Sequence, residues 1–361
     1  MKIKKHILLI FLTLVFITAC RSVTTTQNME NRPEHHTDNG YKNLYIVDAK
    51  KNFFSFLKMR YFGDTQWANH ESFANRIPVQ KLDLEKVYQP GHKPQISWLG
   101  HSTFLIQYQG INILTDPAFC DRTSPFSFAG PKRYTPHVVD YSKLPQIDYV
   151  FISHNHYDHL DSEAIKVLHN QKITPRYYVP LGIKTRLLED DERLKSENIV
   201  EMDWGEHNSH KGVKISAYPS QHWSARSLFD RFETLWASWR VELDNFSFWF
   251  AGDTGYNERL FKELGKTIPP VNLSFIPIGA YSPRSFMKAY HLNPEEAVLV
   301  HQHIKTTQSI GMHWGTYPLT AEAPIEPPIR LKSAVTKAGV DEDEFTVMQL
   351  GETRVIDHIQ E

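Results

Sequence analysis

One stretch of sequence decides the fold of this chain: Ile147-Asp-Tyr-Val-Phe-Ile-Ser-His-Asn-His-Tyr-Asp-His-Leu-Asp161. It begins with a short apolar run at residues 149–152, which is typical of a buried strand. Three histidines and an aspartate then fall within residues 154–159. Polar side chains at the end of such a strand cannot enter a dry core without partners, because desolvation costs free energy. A transition metal provides the partner, since neutral imidazole and carboxylate are ligands of zinc and related ions.

The spacing within this stretch predicts ligands for two metals. His154 and His156 are two residues apart, so both rings leave the same face of an extended backbone. Asp158 and His159 begin the turn into a helix, and they project toward the other side of the same cavity. A histidine-rich surface loop is the alternative, and the density of ligand-type residues after a strand argues against it.

Three further ligand candidates lie at the ends of later predicted strands. His222, Asp253 and His313 each follow a run of strand-type residues and are flanked by turn residues. Metal-capable residues are expected to recur at strand ends when one rim of a sheet sandwich carries the site. Spacing alone leaves open which of these residues bind which metal.

The His-x-His-x-Asp-His motif resembles the metal motif of the metallo-β-lactamase superfamily. Further segments, in order between residues 41 and 357, resemble a narrower group, the N-acyl-phosphatidylethanolamine-hydrolysing phospholipase D family. These segments include Trp98-Leu-Gly-His-Ser-Thr, Leu114-Thr-Asp-Pro, Ser220-Gln-His-Trp, Ala251-Gly-Asp-Thr-Gly-Tyr and His313-Trp-Gly-Thr. The hexapeptide alone indicates the superfamily, whereas the ordered set indicates the family.

This resemblance implies an α/β fold, the four-layer αββα metallo-β-lactamase sandwich, preceded by an N-terminal extension. It also implies two zinc ions held by seven side chains. One zinc would be bound by His154, His156 and His222, the other by Asp158, His159 and His313, and Asp253 would bridge both.

The implied reaction is hydrolysis of N-acyl-phosphatidylethanolamine to phosphatidic acid and an N-acylethanolamine. A metal pair lowers the pKa of a bridging water toward neutrality, which gives a hydroxide nucleophile at physiological pH. The same pair stabilises the attacking and leaving oxygens of a displacement at phosphorus. We expect Asp158 to hold the hydroxide and to take the proton that the water releases when the hydroxide forms.

Tyr157 and His291 are candidate substrate contacts. The hydroxyl of Tyr157 would donate to a phosphate oxygen, or its ring packs beneath the loop, and both alternatives stay open. His291 precedes a helix capped by Asn293, where backbone donors favour an anion. We expect His291 to bind the phosphate or to protonate the leaving alkoxide. Tyr290 stands where the family carries glutamine, so head-group recognition and the general acid are harder to assign than the metal ligands.

Two residues near other strand ends have either a structural or an orienting role. Asp116 follows the predicted strand at 111–115, and it either orients a metal-bound histidine or caps the turn. His101 has the same ambiguity. We expect it to be structural or orienting rather than a ligand.

The N-terminus has the pattern of a bacterial lipoprotein. Residues 1–19 resemble a signal peptide, with lysines followed by an apolar run that is shorter than the roughly 20 residues needed to cross a membrane. Cys20 is the expected site of lipidation; the alternative is an ordinary signal peptide with a chance cysteine. Residues 20–40 then form a flexible tether, 41–94 an extension packed on the core and in part membrane-facing, and 95–361 the catalytic domain. We expect a location in the bacterial cell envelope, on the periplasmic face of the outer membrane in a Gram-negative cell.

Charge, cysteine content and the aromatic segment limit which molecules this protein is expected to bind. A formal net charge of −1 without a basic cluster argues against nucleic acid. Lipidation of Cys20 leaves Cys120 alone, so no intramolecular disulfide is available. The aromatic and basic segment at 53–62 either belongs to the core or contacts lipid, and we expect most of it in the core. The expected partners are a membrane phospholipid and the membrane surface, and a homodimer is left open.

Two other functions fit the same residues. The fold and metals could serve a small soluble phosphodiester or a sugar-phosphate lactone, because a fold does not fix its substrate. A non-catalytic lipoprotein that binds metal or lipid is the other alternative. The seven ligand candidates argue against it.

Overall fold

The computed structural model describes residues 32–48 and 53–357. The chain divides into two units, residues 1–36 and 37–361, and the elements that carry the predicted ligands belong to the second. The predicted signal peptide and Cys20 lie outside the described residues, so both stay predictions. None of the described helices is long and apolar enough to cross a membrane.

The described strands form two seven-stranded sheets of related construction, and the first two strands of the chain pair as a separate two-stranded sheet. In chain order they are β1 (His36–Thr37), β2 (Gly40–Tyr41), β3 (Gln95–Gly100), β4 (Thr103–Tyr108), β5 (Ile111–Thr115), β6 (Tyr149–Phe151), β7 (Arg176–Pro180), β8 (Ile199–Met202), β9 (His207–His210), β10 (Val213–Tyr218), β11 (Ser238–Leu243), β12 (Phe246–Phe250), β13 (Leu273–Pro277), β14 (Gln308–Met312), β15 (Phe345–Thr346) and β16 (Thr353–Val355). One seven-stranded sheet has the order β16-β3-β4-β5-β6-β7-β8, and the other has the order β15-β14-β13-β12-β11-β10-β9.

Each sheet is mixed. The pairings among β16, β3, β4 and β5 are antiparallel, and those from β5 to β8 are parallel. The other sheet repeats this arrangement, with antiparallel pairings from β9 to β12 and parallel pairings from β12 to β15. The predicted hairpin joins β4 to β5 through Gln109 and Gly110, whose φ angles are 50° and 76°. Such positive φ values suit the tight turns that follow the twist of a hairpin.

Large apolar side chains of the two sheets meet in one core. The ring centroids of Phe104 on β4 and Phe275 on β13 lie 4.4 Å apart. Trp239 on β11 packs against Phe151 on β6 at 5.7 Å, and its indole N–H donates to the carbonyl oxygen of Ile152 at 3.0 Å. Burial of large aromatic rings is the main favourable term in such a core. The sheets therefore form a sandwich.

Helices cover the outer faces of both sheets. They are α1 (Phe53–Phe62), α2 (His70–Phe73), α3 (Leu84–Tyr88), α4 (Ser162–His169), α5 (Ile183–Asp190), α6 (Glu258–Thr267), α7 (Arg284–Met287), α8 (Pro294–Ile304) and α9 (Glu326–Ala338), with short 3-10 turns at Ala74–Arg76, Tyr141–Lys143 and Ser196–Asn198. Helix α5 contacts β7 and β8, α8 contacts β13, and α9 contacts β15. The predicted four-layer α/β sandwich is confirmed: two mixed sheets are flanked by helices.

The N-terminal extension packs partly on the sandwich. Val87 is fully buried, and its carbonyl oxygen accepts a hydrogen bond of 2.9 Å from Gln107 on β4. Helix α1 is different, because Phe54, Tyr61 and Phe62 are 71%, 69% and 84% exposed. The expectation that most of this aromatic segment is core is therefore wrong for these three rings.

Candidate metal centre

Every predicted ligand lies just beyond the C-terminal end of a strand. The motif at 154–159 follows β6 in the first sheet, and the other three candidates follow strands of the second sheet. His222 comes after β10, Asp253 after β12 and His313 after β14. The sandwich therefore brings together side chains that are far apart in sequence. A site at the carboxyl ends of strands is the usual location in sheets with parallel connections.

The first group consists of three imidazoles. His154 Nε2 lies 2.8 Å from His156 Nδ1, and His156 Nδ1 lies 3.3 Å from His222 Nε2. Ligand atoms of all three lie within 4.8 Å of one another. The Nδ1–H of His222 donates to the carbonyl oxygen of Tyr290 at 2.9 Å, which leaves the Nε2 lone pair directed into the group.

The second group combines a carboxylate with imidazoles. Asp158 Oδ2 lies 3.3 Å from His159 Nε2 and 3.4 Å from His313 Nε2. The two Nε2 atoms of His159 and His313 are 3.1 Å apart. His101 also belongs to this group by distance, since its Nε2 is 2.9 Å from Asp158 Oδ2.

Asp253 stands between the two groups. Its Oδ2 is 3.1 Å from His313 Nε2, 3.3 Å from His159 Nε2 and 3.7 Å from His222 Nε2. The structure thus brings all seven predicted ligands together, with Asp253 in the position expected of a bridging group. That each side chain binds metal stays a prediction.

The donor set fits metal ions. Asp253 Oδ1 and His291 Nδ1 are buried beside the ligand groups and have no hydrogen-bond partner among the described residues. Leaving buried polar atoms unsatisfied costs about 1–3 kcal/mol each, so their position beside converging imidazoles requires an explanation. Convergent imidazole and carboxylate donors at these distances are the chemistry that zinc and similar ions need.

Asp116 orients His159 of the second group through the ring nitrogen that does not face the other ligands. Its carboxylate accepts from the Ser153 N–H at 2.7 Å and the Ser153 hydroxyl at 2.6 Å, and from the His159 Nδ1–H at 2.6 Å. Asp116 is fully buried and has a φ of 31°, a strained backbone conformation for a non-glycine residue. Of the two roles considered from sequence, the geometry supports orientation of a histidine. Ser153 was missed from sequence, although its place directly before the motif offered a signal.

His101 is held by its backbone and its side chain together. Its carbonyl oxygen accepts from the His313 N–H at 3.1 Å, and its ring centroid lies 4.0 Å from that of His313. Its φ of 52° is again left-handed. The imidazole bonds to Asp158 rather than facing solvent, which fits an orienting role.

Burial and opposite charges set the protonation of the cluster. Burial lowers the pKa of His154 well below its usual value, and it lowers the pKa of His156 and of His222 to about 3. Against burial, the imidazoles of the second group hold the pKa of Asp158 and of Asp253 well below the usual carboxyl value. At neutral pH the carboxylates are ionised and the imidazoles of the first group are neutral. Against burial, Asp253 and Asp158 raise the pKa of His159 well above its usual value and that of His313 to about 9. Metal binding at the second group therefore has to release protons from these two imidazoles.

The two predicted substrate contacts have different surroundings. The Tyr157 hydroxyl donates to the carbonyl oxygen of Arg226 at 2.8 Å, so the geometry does not support its donation to a phosphate oxygen. His291 Nδ1 lies 3.8 Å from Asp253 Oδ2, and its ring is 5.1 Å from that of His222. His291 therefore stands at the edge of the metal ligands, and its role in binding the substrate stays a prediction.

Comparison with known proteins agrees with this geometry. Residues 111–314 match the family described as the beta-lactamase superfamily domain. N-acyl-phosphatidylethanolamine-hydrolyzing phospholipase D 1 of Caenorhabditis elegans is 41% identical over 71% of this chain and 74% of its own length. The chain belongs to the N-acyl-phosphatidylethanolamine-hydrolysing phospholipase D family. The resemblance inferred from the motifs is confirmed, and the protein is a metal-dependent hydrolase of the metallo-β-lactamase superfamily.

More distant matches show how far the similarity extends. The mitochondrial N-acyl-phosphatidylethanolamine-hydrolyzing phospholipase D of Saccharomyces cerevisiae is 33% identical over 72% of this chain and 56% of its own length. Among solved structures, the metallo hydrolase Igni18 of Ignicoccus hospitalis has a TM-score of 0.54 at 20% identity, covering 74% of this chain and 99% of its own. An isothiocyanate hydrolase from Delia radicum gut bacteria has a TM-score of 0.55 at 18% identity, covering 72% of this chain and 98% of its own. At such identities the structures show a shared fold alone.

Proposed function

We propose that this hydrolase binds two zinc ions and cleaves N-acyl-phosphatidylethanolamine to phosphatidic acid and an N-acylethanolamine. One observation carries the proposal: two groups of ligand-type side chains meet at a shared carboxylate, Asp253, in a chain 41% identical to a relative named for this reaction. The bound metals would supply a nucleophile at neutral pH and neutralise charge on the phosphodiester.

The ionised carboxylates and the imidazoles of the cluster have separate tasks in this proposal. Asp158 accepts a hydrogen bond from His101 at 2.9 Å, and in this proposal it receives a proton from the attacking water. Asp116 keeps the Nδ1 proton on His159, so that its Nε2 lone pair faces the cluster. These contacts fix the donors before substrate arrives, and such preorganisation lowers the cost of reaching the transition state.

His291 is assigned the phosphate contact. Its Nδ1 has no hydrogen-bond partner among the described residues, and it lies 3.8 Å from Asp253 Oδ2. With His222 and Asp253 it forms a further group that could hold a metal ion. The proposal assigns it to the phosphate because the seven other side chains already supply both zinc sets. It also precedes α8, whose first turn is capped by Asn293 and presents the positive end of the helix dipole. Donation of a proton from His291 to the leaving alkoxide stays a prediction, which a pH–rate profile of the His291→Gln variant tests.

The test measures metal and products together. Elemental analysis of the purified chain should give two zinc ions per chain, and mass spectrometry on mixed-phospholipid vesicles should find phosphatidic acid and N-acylethanolamine. His156→Ala should abolish both zinc binding and turnover. Turnover confined to a soluble phosphodiester or a sugar-phosphate lactone would support the alternative substrates instead. Full zinc content with no hydrolysis of any of these compounds would overturn the proposal.

We further propose that the protein works at a lipid surface. Cys20 would carry the anchor, and the exposed rings of Phe54, Tyr61 and Phe62 would contact the bilayer, since aromatic side chains favour the membrane interface. Cys20→Ser should move the protein to the soluble fraction while activity in detergent is retained. Replacing the three rings with serine should reduce binding of the Cys20→Ser protein to phospholipid vesicles. Unchanged fractionation would contradict the anchor, and unchanged vesicle binding would contradict the contact.

A further inference from the structure

Arg226 crosses over the metal-binding motif from another part of the chain. It lies in the connection between β10 and β11, and its Nη1 donates to the carbonyl oxygens of Asn155 at 3.0 Å and of Leu160 at 2.6 Å. These two carbonyls stand on either side of the ligands His156, Asp158 and His159. One guanidinium nitrogen therefore links the beginning and the end of the ligand loop.

Tyr157, which lies within the ligand loop, also contacts Arg226. Its hydroxyl donates to the carbonyl oxygen of Arg226 at 2.8 Å, and the Arg226 Cζ lies 4.0 Å from the centroid of its ring. The side chain of each residue thus binds the backbone or the ring of the other. A guanidinium over an aromatic face adds an electrostatic attraction that grows when water is excluded.

Arg226 is itself held in place. Its backbone N–H donates to both carboxylate oxygens of Asp230, at 3.1 and 3.0 Å. The acceptor residues Asn155 and Leu160 are buried, 3% and 0% exposed. Hydrogen bonds from an ionised donor are roughly twice as strong as neutral ones, and a buried carbonyl that loses its donor retains the desolvation cost.

We propose that Arg226 is a positioning residue that, with Tyr157, clamps the ligand loop in its metal-binding conformation. The hydrogen bonds of both side chains go to backbone carbonyl oxygens, so they act through the backbone that carries His156, Asp158 and His159. The hydroxyl of Tyr157 serves this clamp and not the phosphate of a substrate. The proposal concerns metal affinity, so it holds whichever phosphodiester or lactone the enzyme hydrolyses.

Two conservative substitutions test the clamp. Arg226→Lys keeps the positive charge but removes the planar group that spans two carbonyls, and Tyr157→Phe removes only the hydroxyl. We expect zinc affinity, measured by competition with a chromophoric chelator, to fall about tenfold for Arg226→Lys, the lower end of the effect of losing a partner outside the ligand shell. Tyr157→Phe should lower it about fivefold, the effect of one ordinary hydrogen bond. Hydrogen exchange of the metal-free protein should become faster at residues 155–160 in both variants.

The chain offers a matched control for each change. Arg354 donates to the carbonyl oxygen of Val347 at 3.1 Å, and Tyr88 donates to that of Lys143 at 2.9 Å; neither acceptor belongs to the ligand loop. Arg354→Lys and Tyr88→Phe should therefore leave zinc affinity unchanged. Because the two clamp residues act on one loop, their double variant should lose less affinity than the sum of the single losses.

Kinetics separates the clamp from a substrate contact. A clamp predicts lower zinc affinity with KM nearly unchanged once zinc is saturating. If Tyr157→Phe raises KM and leaves zinc affinity and exchange at residues 155–160 unchanged, the hydroxyl contacts substrate and the proposal is wrong. Wild-type zinc affinity in a folded Arg226→Lys variant would also overturn it. If that variant does not fold, as judged by circular dichroism, the Tyr157→Phe result alone decides.

Discussion

Replacing Asp116 with asparagine should weaken metal binding without changing the shape of the site. Three donors face the Asp116 carboxylate: the N–H and O–H groups of Ser153 and the Nδ1–H of His159. An asparagine has one oxygen and one NH₂ group at the same positions. The Ser153 N–H faces Oδ1 and cannot accept a hydrogen bond, so the asparagine oxygen must take that position. The NH₂ group then takes the position of Oδ2, where it faces the Ser153 hydroxyl and His159 Nδ1.

The substitution changes which ring nitrogen of His159 carries the proton. The Ser153 hydroxyl can rotate and accept a hydrogen bond, but His159 Nδ1 can accept only if its proton moves to Nε2. Nε2 is the atom that faces His313 and Asp253, at 3.1 and 3.3 Å. A proton there occupies the lone pair that a metal ligand must offer. The variant must therefore restore the original tautomer before zinc binds.

The expected loss is 10- to 100-fold in zinc affinity, the usual effect of removing such a partner, which corresponds to about 1.4–2.8 kcal/mol. Asp140→Asn is the matched control, because Asp140 is exposed and caps only a surface turn through Ser142. Chelator competition on both variants gives the affinities, and circular dichroism checks that both are folded. Zinc affinity of Asp116→Asn within twofold of the wild type would refute the tautomer argument.

Four further outcomes are expected. Asp253→Asn should remove zinc and activity together, because both ligand groups share this carboxylate; retained zinc by elemental analysis would contradict the bridging position. His291→Ala should lower kcat about 100-fold with zinc content intact, whereas loss of zinc would make His291 a ligand. Gly252→Ala should reduce the free energy of unfolding in urea more than Gly110→Ala does, by about 1–3 kcal/mol. Both glycines have positive φ, but only a Cβ at Gly252 would clash, 2.5 Å from the Ser153 Cβ; equal losses would contradict this. The free energy of unfolding of the metal-free protein in urea should decrease as pH falls from 6.5 toward 3, by up to about 1.4 kcal/mol per pH unit and group. The reason is that desolvation lowers the pKa of five histidines in the folded state, so the unfolded chain binds more protons. A flat profile would contradict this. The five are His101, His154, His156, His222 and His291.

The sequence predicted the parts of the site that depend on local pattern. His154 to His159 follow an apolar strand directly, so their density and spacing already indicate a metal loop. His222, Asp253 and His313 could be chosen because each follows a strand-type run, and strands of one sandwich end at a common rim. The fold class came from the same alternation of strands and helices, joined to the resemblance of the motifs.

Other parts depend on contacts between distant segments and gave no local signal. Arg226 lies 71 residues from Asn155 in the chain and 66 from Leu160, and an arginine in a polar loop is ordinarily solvated. From sequence alone, Tyr157 either donated its hydroxyl to a phosphate oxygen or packed its ring beneath the loop, and nothing indicated the carbonyl oxygen of Arg226 as its acceptor. The exposure of Phe54 and Phe62 is a further case, since an aromatic cluster usually indicates core and only the packing of the sheets shows otherwise.

The position of the ligands also ties metal binding to the stability of the whole sandwich. The motif at 154–159 follows a strand of the first sheet, whereas His222, Asp253 and His313 follow strands of the second. A metal held by His154 and His222, or by His159 and His313, therefore joins the two sheets at their common rim. Because the unfolded chain does not preserve this arrangement, the free energy of binding adds to that of folding. Zinc should accordingly raise the thermal midpoint of the entire catalytic domain rather than order one loop, and its removal should loosen the rim where the two sheets meet.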